Sequence, residues 1–152
     1  MKKTAAISDL LLELCFTTQD RAHLLASLEK VGQMLYIKSA TVESILEKVP
    51  TNYADLLRHI LNQLFSHPSA DDLEQAVSLV TASAQKIESI ELELAYIPSR
   101  SQVQALSETI RAKINPNSIL SFSYKPDIIG GVILQNQGKT VDLSLKAALK
   151  YV

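Results

Sequence analysis

Ile129-Gly130-Gly131-Val132-Ile133-Leu134 leads through Gln137-Gly138 to Asp142-Leu143-Ser144. Two adjacent glycines stop one element and start another. The apolar run after them predicts a strand, and residues 131–136 and 139–143 read as a hairpin around Gln137-Gly138. Asp142 and Ser144 can cap a last short helix over residues 143–151. The chain has 4 glycines in all, and three of them lie between Gly130 and Gly138, so its tight-turn chemistry is concentrated here.

Ahead of this stretch, Leu120, Phe122 and Tyr124 alternate with Ser121 and Ser123, the period of a half-buried strand. Asn115-Pro116-Asn117 is a turn. Ser99 and Gln102 form a capping-box pair for a helix bearing Val103, Leu106, Ile110 and Ile114. Ile90, Leu92, Leu94 and Tyr96 alternate with Glu91, Glu93 and Ala95, which predicts a strand over Ile90–Ile97 closed by Pro98. The second half therefore reads strand, helix, strand, strand, strand, helix, and a small mixed sheet with helices against it is the natural packing.

Residues 4–88 read as helix after helix. Ile7, Leu10, Leu11 and Leu14 recur at helical spacing. Thr17 or Thr18 can cap a second helix with Leu24, Leu25, Leu28, Val31 and Leu35 on its face. Val42, Ile45, Leu46 and Val49 form a short third segment ended by Pro50. Thr51 is expected to cap a fourth, with Leu56, Leu57, Ile60, Leu61, Leu64 and Phe65, which stops at His67-Pro68. Ser69 with Asp72 opens a fifth, carrying Leu73, Val77, Val80, Ala84 and Ile87. The expected class is α+β: an N-terminal helical bundle, residues 1–88, followed by a small mixed α/β domain, residues 89–152.

The stretch from Pro126-Asp127 through Ile129-Gly130-Gly131 to Asp142 and Ser144, with Lys146, Leu149 and Lys150 behind it, resembles the C-terminal signature of the delta subunit family of F-type ATP synthases. In mitochondria that subunit is the oligomycin-sensitivity-conferring protein. The order of elements matches the family along most of the chain, and residue agreement is concentrated in 90–152. Two departures stand out: the helical part is shorter than the family's usual six helices, and Gln137 occupies the usual turn glycine, with Gly138 after it.

The resemblance implies a non-catalytic stator subunit with no cofactor. Its expected partners are the N-termini of the ATP synthase alpha subunits and the C-termini of the b-type subunits of the peripheral stalk. Its expected place is the cytoplasmic face of the cell membrane, peripheral, membrane-associated only through the complex. In the family the first and fifth helices form the groove that binds the head. By position, Leu10, Leu11 and Leu14 with Val77, Val80 and Ala84 are the partner-binding candidates. A free-standing helical adaptor unrelated to the synthase is the alternative.

Composition bounds the rest. Net charge is −1 and tryptophan is absent, so neither a basic face nor stacking platforms for nucleic acid are expected. Cys15 is the single cysteine, which rules out an internal disulfide and reads as a small buried hydrophobe. Met1-Lys2-Lys3 and the apolar residues after it imitate a signal peptide, but Asp9 and Glu13 interrupt the apolar region. Gly138-Lys139-Thr140 imitates the end of a phosphate loop; Ile133 stands where that motif needs its first glycine, and Val141 continues a strand. His23, His59 and His67 have no zinc-type spacing. Asp71-Asp72 reads as helix N-terminal charge rather than a metal site. No nucleophile motif is present, so no enzyme is expected.

Overall fold

The computed structural model describes residues 2–37 and 39–143, with the side chains of the opening helix described from Ile7 onward. The chain forms two compact units. The first comprises Met1–Leu14 and Asp20–Lys86; the second comprises Cys15–Gln19 and Ile87–Val152.

The helical unit contains α1 (Lys2–Leu14), most of α2 (Thr18–Leu35), α3 (Val42–Leu46), α4 (Thr51–Leu64) and α5 (Ala70–Gln85). Local chemistry sets the helix starts. Ser69 Oγ accepts the Asp72 N–H at 3.3 Å, and Asp72 Oδ2 accepts the Ser69 N–H at 2.9 Å, closing a capping box on α5. Thr41 and Ser44 make the same exchange at the head of α3, a cap that the apolar spacing did not reveal. Thr51 does not cap α4. Pro50 takes the cap position without a side-chain bond, and Thr51 is the first helical residue. Proline fits there because its missing N–H would have had no partner in the helix anyway.

Each helix buries one stripe. On α4 this is Tyr53, Ala54, Leu56, Leu57, Ile60 and Leu61; on α2 it is Leu24, Leu28 and Val31. Helix α5 packs on α4 and on α1. Burial of leucines as complete as Leu24, Leu57 and Leu73 stabilises the bundle by about 1.5–3 kcal/mol each relative to leaving them exposed. Arg58 of α4 donates to Glu43 of α3 at 3.0 Å and to Asp55 of α4 at 3.2 Å, a surface tie between short elements.

The α/β unit contains β1 (Glu88–Leu94), α6 (Arg100–Lys113), β2 (Ser118–Tyr124), a 3-10 turn (Pro126–Ile128), β3 (Val132–Asn136) and β4 (Lys139–Asp142). The sheet order is β2-β1-β3-β4, with β1 and β2 parallel and the other pairs antiparallel. The α+β class expected from the sequence is the class observed. Ser99 and Gln102 cap α6 as anticipated, with the Ser99 N–H donating to Gln102 Oε1 at 2.8 Å. Ile90, Leu92 and Leu120 of the sheet meet Ile110 of α6, with Leu106, Phe122, Val132 and Leu134 packed around them.

The first strand is shorter than its alternation predicted. It ends at Leu94, and Tyr96 and Ile97 are exposed. The pairing strand β2 ends at Tyr124, and the Lys125 N–H donates to the Leu94 carbonyl at 2.7 Å as the chain turns into Pro126. Beyond that point no ladder supports the alternation. The expected last helix, residues 143–151, lies outside the described residues except for Leu143.

The hairpin falls where it was expected. Gln137 (φ 48°) and Gly138 (φ 77°) both take left-handed backbone, as a two-residue primed turn requires. Gln137 is an unusual occupant of such a position, and its side chain has a use there. Its amide donates to Glu88 Oε2 at 3.3 Å, and the same oxygen accepts from Asn115 Nδ2 at 2.6 Å. One carboxylate thus joins the hairpin tip to the α6–β2 turn.

Candidate functional site

Among the described residues the helical unit presents shallow grooves, of which two bear on the partner-binding candidates. The first lies between α1 and α4. Leu10, Leu14 and Leu56 supply its apolar surface, and Glu13, Asn52, Asp55 and His59 line its polar edge. The second lies between α2 and α5 and is lined by Leu25, Leu28 and Val77, with Gly32, Tyr36 and Thr81 beside them. Gly32 leaves open space in that groove, since a Cβ placed there would meet no atom within 4 Å.

The six partner-binding candidates are divided by this architecture. Leu11 (0%), Val80 (0%) and Ala84 (1%) are core residues with no surface to offer. Leu10 and Leu14 are half-buried and open onto the α1/α4 groove, and Val77 is half-buried in the α2/α5 groove. Helices α1 and α5 pack directly on each other. Their facing residues are therefore spent on the bundle, and their shoulders line two separate grooves. Leu56, Leu25 and Gly32 join these surfaces without having been singled out from the sequence. A leucine stripe is the same signal whether its occupant is intramolecular or not.

In the α/β unit the register gathers a different surface. Leu94 pairs with Tyr124 and with Val132, and the Leu143 N–H donates to the Val132 carbonyl at 2.9 Å. The ends of β1, β2 and β4 and the start of β3 therefore share one end of the sheet. Apolar side chains stand exposed there: Ile97 at 82%, Ile129 and Leu143 at 65%, Tyr124 at 60% and Tyr96 at 44%. Large apolar groups left exposed together are unusual on a small sheet.

The signature residues shape this end. Gly131 takes φ 83° and Ile129 takes φ 67°, so two of three consecutive residues before β3 are left-handed. For a β-branched residue such as Ile129 that conformation is strained. The turn holds an apolar side chain out into solvent. Gly130 lies between them, Asp142 pairs with Ile133 at the end of β4, and Ser144 is outside the described residues.

Among the described residues no three His, Cys, Asp or Glu side chains gather where they could hold a metal ion. Cys15 is buried. Gly138-Lys139-Thr140 is hairpin turn and edge strand, with no helix behind it to face a phosphate. Among the described residues no helix is long and apolar enough to cross a membrane.

A helical bundle followed by a small mixed sheet is the order of elements that the resemblance implied, and the structure adds a left-handed Gly131 ahead of the last hairpin. Comparison with known proteins gives the same answer. A sequence model of the family described as "ATP synthase delta (OSCP) subunit" matches residues 4–152. The chain is 31% identical over 120 residues to a protein named "ATP synthase subunit delta" from Lactobacillus acidophilus, covering 76% of this chain and 66% of that one. It is 27% identical over 114 residues to the protein of the same name from Lactobacillus delbrueckii subsp. bulgaricus, covering 72% and 63%. The chain thus spans just under two thirds of the length of these relatives. The match runs through both units and the signature between Pro126 and Asp142, and the chain belongs to the ATP synthase delta (OSCP) subunit family.

Proposed function

We propose that this subunit is non-catalytic and acts in the stator of an F-type ATP synthase. Its helical unit binds the N-terminal helices of alpha subunits, and its α/β unit holds the C-terminal ends of b-type stalk subunits. It sits at the cytoplasmic face of the membrane as a peripheral part of the complex. The joint resists the torque that the rotor exerts on the catalytic head. The observation that carries this reading is the pairing of family membership with two units that each present an apolar surface. The bundle offers grooves with apolar residues along them, the kind of surface on which an amphipathic helix lays its apolar face, and the sheet end offers exposed aromatic and aliphatic side chains that could serve as anchors.

The test is calorimetric titration of the full chain with a peptide from the N-terminus of an ATP synthase alpha subunit. A peptide with its apolar face scrambled is the control. Heat is expected from the first alone; equal heats from both, or none from either, would count against head binding.

Gly32→Ala tells the two grooves apart. The substitution is expected to stabilise the bundle by about 0.5–1 kcal/mol, because alanine loses less backbone freedom in a helix than glycine does. The new methyl meets nothing, so no clash offsets this gain. Urea unfolding measures the stability. If the same variant loses affinity for the alpha peptide, the occupied groove is α2/α5. If affinity is kept while Leu14→Ala weakens it, the groove is α1/α4.

A further inference from the structure

The turn between α1 and α2 belongs to the α/β unit, and three of its residues bond to that unit's own elements. The Leu120 N–H donates to the Phe16 carbonyl at 2.8 Å, and Thr17 pairs with Leu120 in parallel. This places Cys15–Thr17 along the edge of β2 that β1 leaves free. Arg111 of α6 fixes the arrangement. Its Nη2 donates to the Cys15 carbonyl at 2.7 Å and its Nε donates to the Ser118 carbonyl at 2.9 Å. One planar guanidinium thus bridges a carbonyl of the turn to the first carbonyl of β2, a geometry that lysine cannot reproduce. The Phe16 ring lies under two guanidiniums, 5.0 Å from that of Arg100 and 5.5 Å from that of Arg111. Arg111 is half-buried, so these bonds are shielded from competing water.

We infer that Cys15-Phe16-Thr17 is a strap, bridged in parallel to the outer edge of β2 at Thr17, through which the α/β unit holds the end of α1. Helix α1 ends at Leu14, one residue before the strap, and carries Leu10 and Leu14 of the α1/α4 groove. The chain therefore passes from one unit to the other at the strap as well as at Lys86–Ile87. Resting on the stator reading, the strap is a second covalent path for tension between stalk-holding and head-holding units. It also satisfies the Leu120 N–H on the β2 edge, which would otherwise lack a partner in the ladder.

The test is hydrogen exchange on the full chain in Arg111→Met and Phe16→Ala. The Leu120 amide is expected to exchange about 10- to 100-fold faster than in the wild type, the scale of losing a charge-assisted anchor. The amides of Leu57 and Ile60 in α4 should be unchanged. Unaltered exchange at Leu120 in both variants would overturn the strap. Should Arg111→Met open the whole chain, Phe16→Leu decides, because it keeps apolar bulk and removes only the ring. Faster exchange at Leu120 with a quiet α4 supports the strap, and any other pattern overturns it. For the tension role, alpha and stalk peptides are titrated separately against Arg111→Met, and ATP-driven proton pumping is measured in the reconstituted complex. Unchanged affinities with weakened pumping support the role, and unchanged pumping overturns it. A wild-type chain that binds neither peptide would defeat the stator reading while leaving the exchange result on the strap intact.

Discussion

Leu11→Ala is expected to destabilise the helical unit by about 2–5 kcal/mol. Leu11 is wholly buried, on a helix that packs against both α4 and α5. Truncation removes the transfer energy of its branched end and leaves a cavity that three packed helices cannot all close. Leu10→Ala and Leu14→Ala should cost less than about 1.5 kcal/mol, because those side chains are half-buried and water can enter the space they leave. The order should reverse for binding. With the bundle kept folded, Leu14→Ala should weaken the alpha peptide, and Leu11→Ala should leave its intrinsic affinity unchanged. Urea unfolding followed in parallel with titration gives both numbers. Equal stability losses at Leu10, Leu11 and Leu14 would show that α1 has no groove-facing side.

The contrast between Leu10 and Leu11 shows what sequence can and cannot resolve. Both are leucines on the apolar side of one helix, and periodicity assigns them the same role. Only the position of α4 and α5 around α1 makes one core and the other shoulder. Short-range chemistry was more legible. The capping boxes at Ser69/Asp72 and Ser99/Gln102 involve partners three residues apart, so the residues that make the bond are visible together. The hairpin at Gln137-Gly138 was legible for the same reason. The strap was not. The partner of Cys15 is Arg111, 96 residues away, and nothing in the stretch Cys15-Phe16-Thr17 has a strand's alternation. A segment bonded to a distant edge takes its conformation from that edge.

The order of the sheet shows how an expected composition of elements became a specific architecture. The sequence predicted four strands and an intervening helix but not their neighbours. The parallel β1–α6–β2 crossover puts β1 next to β2, and β3 then adds to the free side of β1. This places β1 in the centre, where Ile90, Leu92 and Leu94 are nearly inaccessible. It also leaves Tyr96, Ile97, Ile129 and Leu143 exposed just outside the ladder, where the strands end.

Gly131→Val is expected to weaken the α/β unit by about 1–3 kcal/mol, the usual cost of forcing a strained backbone position on a side chain that resists it. Gly131 holds φ 83°, a conformation in which a β-branched side chain collides with its own backbone. The position cannot relax cheaply. On one side Ile129 is already left-handed at φ 67°. On the other, Val132 is committed to Leu94 in the ladder, and its carbonyl accepts the Leu143 N–H. Strain at Gly131 therefore reaches the sheet end that carries Tyr124, Ile129 and Leu143. Gly131→Asn should cost less, since asparagine enters left-handed backbone far more readily than valine. Amide exchange should rise in β3 and at the β1 residues paired with it, while the α4 amides keep their protection, because the bundle has its own core. In the stator reading the consequence is selective. A stalk-subunit pull-down should weaken while alpha-peptide binding persists, so that membranes hydrolyse ATP with poor proton pumping. If both interactions fell together, the division of labour between the units would be wrong. If neither fell, and valine and asparagine were tolerated alike, the left-handed turn before β3 would not be what shapes the stalk surface.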